Sequence, residues 1–427
     1  MRLQIAAMAL GGEGVARADI GGRSRAVFVP ASAPGDEIEA EVRLGGAAPR
    51  ATILRLLLPS PDRVVPPCPF ADRCGGCDWM HMSLDAQRRH RQALVVQALS
   101  RALPELRDVD VGVHLAQRTD RYRTRIRLGV RTQRGRVIAG FRGARSHELV
   151  EPGACMVAGE PVERARLQAG AWLQGSGGSG ELTIACGSTD RASLFLRWSG
   201  ELAPSVFAAA SQRVDAGHWA GVEISIEGSK RPAVIGDATC AVVAADGGAL
   251  RTPAGGFMQA HDEISRELAA LVAGGVPQGA RTLELFCGAG NLTVALARRT
   301  AGLEAVEGDA RAVEAARANL AVRGLGAKVS CADANGWEVG SDVRVVVLDP
   351  PRSGAAGACR RVAASRARRV VMVSCDPATL ARDLGLLVRA SGRWRVLSVD
   401  LFEMFPHTSH AETVVVLDRE AGSRSAA

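Results

Sequence analysis

The sequence predicts an α/β protein: a doubly wound sheet closed by a terminal antiparallel hairpin, preceded by a small β-barrel and a mixed central region. Three observations predict it. From residue 256 onward, strand-like apolar runs alternate with helix-length amphipathic segments, the pattern of βαβ units. The last two runs, Trp394–Leu401 and Thr413–Asp418, have no helix between them and so pair antiparallel. Residues 1–58 are short alternating runs cut by Gly and Pro turns, the pattern of a small closed β-structure.

In chain order, Arg25–Pro30 and Ile38–Val42 are strands of the barrel, separated by the turn Ala33-Pro-Gly-Asp36; an oligonucleotide-binding type fits these residues. Pro59, Pro61, Pro66 and Pro67 mark a linker. Residues 59–255 form the central domain. It holds a cysteine cluster, a helix over 84–103 expected to pack on the C-terminal domain, a run of arginines, and strands such as Leu194–Trp198 and Val222–Ile226. Gly175–Gly180, reading Gly-Ser-Gly-Gly-Ser-Gly, is expected as a flexible loop because no strand-turn-helix pattern frames it. Residues 256–427 carry the doubly wound sheet. Thr282–Phe286, Glu304–Val306, Val329–Cys331, Val343–Leu348 and Arg369–Val373 read as its strands, and Leu292–Arg299, Ala312–Arg323 and Ala378–Ala390 as helices. Residues 420–427 are expected to be disordered.

Ligands of such sheets sit at the carboxyl ends of the strands, and here those ends are loaded. The first strand leads into Glu284-Leu-Phe286-Cys-Gly288-Ala-Gly290-Asn291; the second ends at Glu307, the third at Asp333, the fourth at Asp349. Glycines there let the backbone turn tightly and let a ligand approach. An acid ending the second strand accepts hydrogen bonds from both hydroxyls of a ribose. One such acid is an ordinary cap or turn residue; acids at successive strand ends form a site. The site is acidic and lacks the third glycine of a dinucleotide fingerprint. It therefore suits a sulfonium cofactor with an amino group, S-adenosyl-L-methionine, better than NAD.

The fifth strand ends in Ser374-Cys375-Asp376-Pro377. A thiol at that rim, with a helix starting just beyond, is expected to have a lowered pKa. The polar turn argues against a plain core cysteine. A methyl-transfer site needs a thiolate when the acceptor is an inert carbon. Sulfur adding to carbon 6 of a pyrimidine makes carbon 5 enolate-like, able to attack a methyl group. A base must then take the carbon 5 proton so that the thiolate can leave. The hairpin turn, Phe405-Pro-His407-Thr-Ser-His410-Ala-Glu412, offers Glu412 as that base, with His407 and His410 positioning substrate, orienting Glu412 or serving structure.

The net charge of +8 favours an anionic partner. Nearly all cations are arginine, the only lysines being Lys230 and Lys328, so part of the excess is compositional. Between Arg118 and Arg145 stand ten arginines and one acid, Asp120. A solvated face mixes signs, so phosphates are the better reading. Tyr122-Arg123-x-Arg125-x-Arg127 alternates, placing its arginines on one strand face suited to a nucleic-acid backbone. Ten cysteines in a chain without a secretory signal are not a disulfide framework. The apolar stretch Leu3–Leu10 is too short for a secretory leader, and no run approaches the roughly 18 residues of a membrane span. A cytoplasmic location without membrane association is expected.

Asp349-Pro-Pro-Arg352, Val373-Ser-Cys375-Asp-Pro377 with Ala-Thr-Leu-Ala-Arg-Asp after it, and Phe405-Pro-His407-Thr with His410-Ala-Glu412 resemble the RNA 5-methyluridine methyltransferase family, the RumA/TrmA group. Leu283-Glu-Leu-Phe-Cys-Gly-Ala-Gly-Asn291 and Phe257-Met-Gln259 match as well, and the resemblance covers nearly the whole chain. It implies a class I methyltransferase sheet, Cys375 as nucleophile and Glu412 as proton acceptor. It places Gln259, Phe286, Asn291, Glu307, Asp333 and Asp349 around S-adenosyl-L-methionine. It implies that residues 1–58 are a TRAM domain. It implies that Cys68, Cys74, Cys77 and Cys155 hold a 4Fe-4S cluster, where four thiolates alone suit either zinc or iron–sulfur. Cluster-bearing members are associated more with ribosomal than with transfer RNA, so ribosomal RNA is the favoured partner, transfer RNA the second, and a monomer is expected. This chain departs from the family at Asp376, where Asn is usual, at Met258, commonly aromatic, and at His261, more usually Asn. A carboxylate at Asp376 should raise the thiol pKa unless paired and bears on base specificity.

Two other readings compete. A 5-methylcytosine RNA methyltransferase shares the covalent logic but needs a second cysteine for release, and Cys287 belongs to the cofactor loop instead. A non-catalytic iron–sulfur RNA-binding protein would have no use for Cys375, Glu412 and Gln259 together.

Overall fold

The computed structural model describes residues 1–46, 48–391 and 394–420. Of the tail expected to be disordered, residues 421–427 lie outside the described residues. Strands β1 (Arg2–Met8), β2 (Gly14–Asp19), β3 (Ser24–Val29), β4 (Glu37–Arg43) and β5 (Arg50–Leu58) close into a barrel ordered β1-β2-β3-β5-β4. Period-2 alternation turns Leu3, Ile5, Val27, Val29 and Ile38 into its core. The Pro-rich segment that follows is stitched to the barrel rather than free. Buried Asp36 accepts from Ser60 N at 2.9 Å and pairs with Arg63 at 2.7 Å.

Helix α1 (Leu84–Ala102) starts at Ser83, whose hydroxyl accepts from Ala86 N. Its Val95 and Leu99 are buried in the core of the C-terminal sheet. Strand β6 (Val111–His114) also joins that sheet; four residues with two exposed gave no strand signal. The central domain proper is a seven-stranded sheet ordered β13-β12-β11-β10-β7-β8-β9. Its strands are β7 (Arg125–Gln133), β8 (Arg136–Arg142), β9 (Leu149–Val150), β10 (Gly177–Cys186), β11 (Ala192–Glu201), β12 (Trp219–Ile226) and β13 (Ala233–Gly236). Helices α2 (Glu160–Trp172) and α3 (Pro204–Asp215) pack against it, with Trp172 edge-on to Trp219 at 5.0 Å.

One expectation for this domain is corrected: the glycine run is not a loop. Strand β10 begins at Gly177 and pairs with β11 along its whole length. A Cβ on Gly178 would come within 2.1 Å of the Ser199 carbonyl, and one on Gly180 within 2.1 Å of the Arg197 carbonyl. Glycine here permits close approach of two strands. Five of the ten arginines of the basic run carry ion pairs at the surface. Arg118 pairs with Asp262, Arg121 with Glu160, Arg127 with Glu181, Arg136 with Glu151 and Arg145 with Glu13. All these acids lie outside the run, which is why it looked one-sided. The alternation itself holds, with Ile126, Leu128 and Val130 buried between the arginines of β7.

A hairpin, β14 (Cys240–Val243) and β15 (Ala249–Thr252), leads into the C-terminal domain. There follow α4 (Asp262–Gly274), β16 (Arg281–Leu285), α5 (Asn291–Ala297), β17 (Gly302–Glu307), α6 (Ala310–Val322) and β18 (Lys328–Cys331). Then come β19 (Val345–Leu348), α7 (Ala356–Ala364), β20 (Arg369–Ser374), α8 (Pro377–Ser391), β21 (Trp394–Phe402) and β22 (Glu412–Arg419). The eight-stranded sheet runs β18-β17-β16-β19-β20-β22-β21-β6. β16 to β20 are parallel and β22 is antiparallel to both β20 and β21, the expected hairpin. All four residues of β19 are buried, as a central parallel strand covered on both faces requires. Helices α1, α7 and α8 cover one face, and α4 and α5 the other. Strand order reverses between β16 and β19, which opens a crevice beyond their carboxyl ends.

Candidate active site

The acids and glycines singled out in the sequence stand along that crevice. Phe286 follows β16, Asn291 opens α5, Glu307 ends β17, Asp333 follows β18 and Asp349 follows β19. Gln259 sits in the loop entering α4, where Thr124 Oγ1 donates to its carbonyl at 3.1 Å. The turn after β16 is tightly wound. Phe286 adopts φ 65°, unusual for a bulky residue, and Gly288 and Gly290 take φ 54° and 92°. Both oxygens of Glu307 are fixed, accepting at 2.9 Å from Gly288 N and from Asp309 N. Asn291 Nδ2 donates to Ser265 Oγ at 3.3 Å, tying α5 to α4. Asp333 accepts from Asn335 N at 3.0 Å and caps a short turn. Behind them Glu284 is 1% exposed, with the Thr293 hydroxyl beside its carboxyl. Burial pushes it up to about 8 against that hydroxyl, with the Asp349 and Glu307 charges adding to the rise.

Cys375 follows β20 and Glu412 opens the neighbouring antiparallel β22, where Ser374 and Thr413 are directly paired. The two side chains therefore share one end of the sheet. Cys375 is half-buried, and its thiol is pushed up to about 11, first by burial and then by the Glu412 carboxylate; Arg352 opposes the rise. The expected lowering of this thiol pKa is thus overturned for the ligand-free site, because desolvation and like-sign carboxylates outweigh the single guanidinium. Glu412 is 3% exposed. Burial, then the Asp349 charge, hold its carboxyl well above the ordinary range, again against Arg352. Arg352 Nη2 lies 3.0 Å from His410 Nε2. Burial and that guanidinium drive His410 down to about 4, so the ring is neutral and can accept from Arg352. His410 orients Arg352, whereas His407, at φ 67°, contributes its backbone to the turn. Arg352 was legible only as part of Asp349-Pro-Pro-Arg352; its role between thiol and carboxylate needed the fold. The three family departures are absorbed locally. Asp376 Oδ1 accepts from Thr379 N at 2.8 Å, Met258 packs with Ala185 and Cys240, and His261 stacks on Tyr122 at 5.1 Å.

The cysteines lie at a second centre. Cys68, Cys77 and Cys155 pack together around Met80, Tyr122 and Val157. Cys74 is close enough for the Cys155 and Cys68 charges to raise its thiol, after burial. Burial pushes Cys77 up to about 12, and the Arg123 guanidinium opposes it most. Among the described residues no group of three or more His, Cys, Asp and Glu is disposed to hold a single metal ion.

Comparison with known proteins places this geometry. A family described as tRNA (Uracil-5-)-methyltransferase matches residues 340–420, and one described as Methyltransferase small domain matches residues 250–366. The chain is 34% identical to the 23S rRNA (uracil(1939)-C(5))-methyltransferase RlmD of Chromohalobacter salexigens over 98% of its own length and 89% of the relative's. It is 32% identical to the RlmD of Alkalilimnicola ehrlichii, covering 96% of this chain and 94% of that one. The chain belongs to the RNA uracil-C5-methyltransferase family. It is also 34% identical, over 98% of its length and 93% of the relative's, to an uncharacterised RNA methyltransferase of Streptomyces coelicolor. The fold matches that of the Pyrococcus abyssi tRNA (uracil-54, C5)-methyltransferase in complex with S-adenosyl-L-homocysteine, with a TM-score of 0.75 and 23% identity over 98% of this chain and 100% of that one. The chain is therefore an S-adenosylmethionine-dependent RNA methyltransferase of class I fold. Among the described residues no helix is long and apolar enough to cross a membrane.

Proposed function

We propose that this enzyme methylates carbon 5 of a uridine in 23S ribosomal RNA through a covalent adduct between Cys375 and the uracil. The observation that carries the reading is the meeting of Cys375, Glu412 and Arg352 at the mouth of the crevice, each within the others' electrostatic reach. The Cys375 thiol gives its proton to solvent water, with Arg352 stabilising the anion, and the thiolate sulfur bonds to carbon 6. The electron pair displaced onto carbon 5 bonds to the incoming methyl group. S-adenosyl-L-methionine, when bound, would supply that methyl, its sulfur keeping the electron pair of the broken S–CH3 bond and leaving as a neutral thioether. Glu412 then takes the carbon 5 proton, the carbon 5–carbon 6 double bond re-forms, and Cys375 departs as thiolate. A carboxylate with a raised pKa is a strong proton acceptor, which suits this step.

Gln259, Phe286, Asn291, Glu307, Asp333 and Asp349 are proposed to line the cofactor site. Glu307 is already aimed by two backbone N–H groups. Cys68, Cys74, Cys77 and Cys155 are proposed to hold a 4Fe-4S cluster. What supports this is the nearness of the four thiols, with Arg123 to offset thiolate charge. The barrel of residues 1–58 is read as a TRAM domain. Ribosomal RNA is preferred because the relatives matched along their length carry that substrate in their names.

The test is transfer of labelled methyl from S-adenosyl-L-methionine to purified 23S ribosomal RNA and, separately, to transfer RNA, with nucleoside analysis of the product. 5-Methyluridine in ribosomal RNA is expected. Label confined to transfer RNA overturns the substrate, and 5-methylcytidine overturns the base.

A further inference from the structure

The turn between β21 and β22, which delivers Glu412, is held from outside its own domain. His407 N donates to Gln87 Oε1 at 2.9 Å, and Trp79 N donates to His407 O at 3.0 Å. Ser409 N donates to Asp78 Oδ1 at 3.0 Å. Tyr122 Oη donates to Pro406 O at 3.0 Å, and Arg91 Nη2 to Thr408 O at 2.9 Å. The clamp is itself braced. Gln87, 1% exposed, spends its amide hydrogens on Trp79 O at 3.1 Å and Met82 O at 2.9 Å. Trp79 Nε1 reaches the barrel at Gly12 O, 2.9 Å away. Asp78 and Trp79 directly follow Cys77, so the thiol-bearing segment, α1 and the turn form one hydrogen-bonded unit.

This arrangement is more than loop packing. His407 sits at φ 67°, a conformation that a non-glycine residue keeps only when its surroundings enforce it. Gln87 and Trp79 bind its N–H and C=O and so supply that enforcement. Directly after clamped Ser409, His410 holds Arg352, and two residues further on stands Glu412. Loss of the clamp lets the turn relax at the point that aims the base, while Cys375, anchored on β20 and α8, keeps its place.

We infer that Gln87 and Asp78 are positioning residues for the second half of the reaction: they aim Glu412 at the carbon 5 proton without taking part in formation of the Cys375 adduct. The inference rests on the covalent reading above. The step they serve breaks the carbon 5–hydrogen bond, passes the proton to Glu412, re-forms the double bond and frees the Cys375 sulfur as thiolate.

The experiment compares Asp78→Ala, Asp78→Asn and Gln87→Ala in the full-length protein. Asp78 is exposed, so its variants test the idea even where the buried Gln87→Ala fails to fold. Quenched reactions with substrate RNA are read on denaturing gels for protein–RNA adduct, alongside release of methylated RNA. In Asp78→Ala and Gln87→Ala adduct should persist, with release slowed by about fivefold, the rate equivalent of one hydrogen bond, and slowed more than adduct formation, which the turn reaches only through the His410–Arg352 contact. Asp78→Asn, which still offers an oxygen to Ser409 N, should release normally. Native release by Asp78→Ala, or a parallel fall in adduct formation and release, overturns the inference. RNA carrying 5-fluorouridine separates the two levels, because fluorine replaces the proton to be removed and adduct accumulates whatever the base does. Native protein that forms no such adduct has lost the covalent reading itself; native protein that forms it beside unaltered variants has lost only the clamp.

Discussion

Replacing Glu412 with Gln should shift two properties of the site in opposite directions. With the Cys375 thiol pushed up to about 11, on the order of one molecule in 10⁴ carries the thiolate at pH 7. Gln keeps the shape of the buried side chain and removes its negative charge. Burial is the larger cause of the raised pKa and Glu412 the second. Glu412 is itself raised to about 8, so its charge bears on the thiol above that pH; there its removal relieves part of the rise, and the thiolate population should exceed that of native protein. Turnover should fall by about 10²- to 10⁴-fold, the usual contribution of a general base, with adduct accumulating because its proton is not removed. Mass spectrometry of the Cys375 peptide after brief iodoacetamide treatment, from about pH 6 to pH 10, reads the first effect. Single-turnover methylation reads the second. In the native protein alkylation should climb about tenfold per pH unit through this range, since the thiol stays below its pKa. A variant that alkylates no faster than native protein refutes the placement of the Glu412 charge against the thiol. One that releases methylated RNA at the native rate refutes its role as base.

Cys375→Ala should abolish methylation while S-adenosyl-L-methionine still binds, as judged by calorimetry; substantial turnover would exclude covalent catalysis. Anaerobic purification should give brown protein containing iron and labile sulfide, and Cys77→Ser should lose the colour; a colourless preparation with stoichiometric zinc would replace the cluster with a single-ion site.

The C-terminal sheet was readable because each of its central strands is buried on both faces and therefore appears as an unbroken apolar run, as in Val345–Leu348. The acids at the strand ends were readable for the complementary reason: a charged residue immediately after such a run must sit at the rim. What failed was whatever depends on a partner distant in sequence. Strand β6 pairs with β21 across nearly three hundred residues of chain, and its own four residues carry too little pattern. Gly177–Gly180 look like a linker until β11 is laid against them. The arginines of β7 and its flanks look unpaired until Glu181, Asp262 and Glu13 arrive from other elements. Charge runs in a chain of several domains thus report domain contacts as readily as ligands.

The same distinction bears on Asp376, the departure that raised doubt about the base acted on. Its position beside the nucleophile suggested a change in thiol chemistry or in contacts to the uracil edge. Its carboxylate instead accepts from Thr379 N at 2.8 Å, directly before α8, so it caps that helix. Asn caps equally well by the same geometry, and a carboxylate is further favoured at a helix N-terminus. Among the charges that act on the Cys375 thiol, Asp376 stands behind Glu412, Arg352 and Asp349. The position is therefore under a requirement for an acceptor that starts α8 and holds the turn carrying Cys375. Asn and Asp both meet it, and the tuning of the nucleophile falls to Glu412 and Arg352.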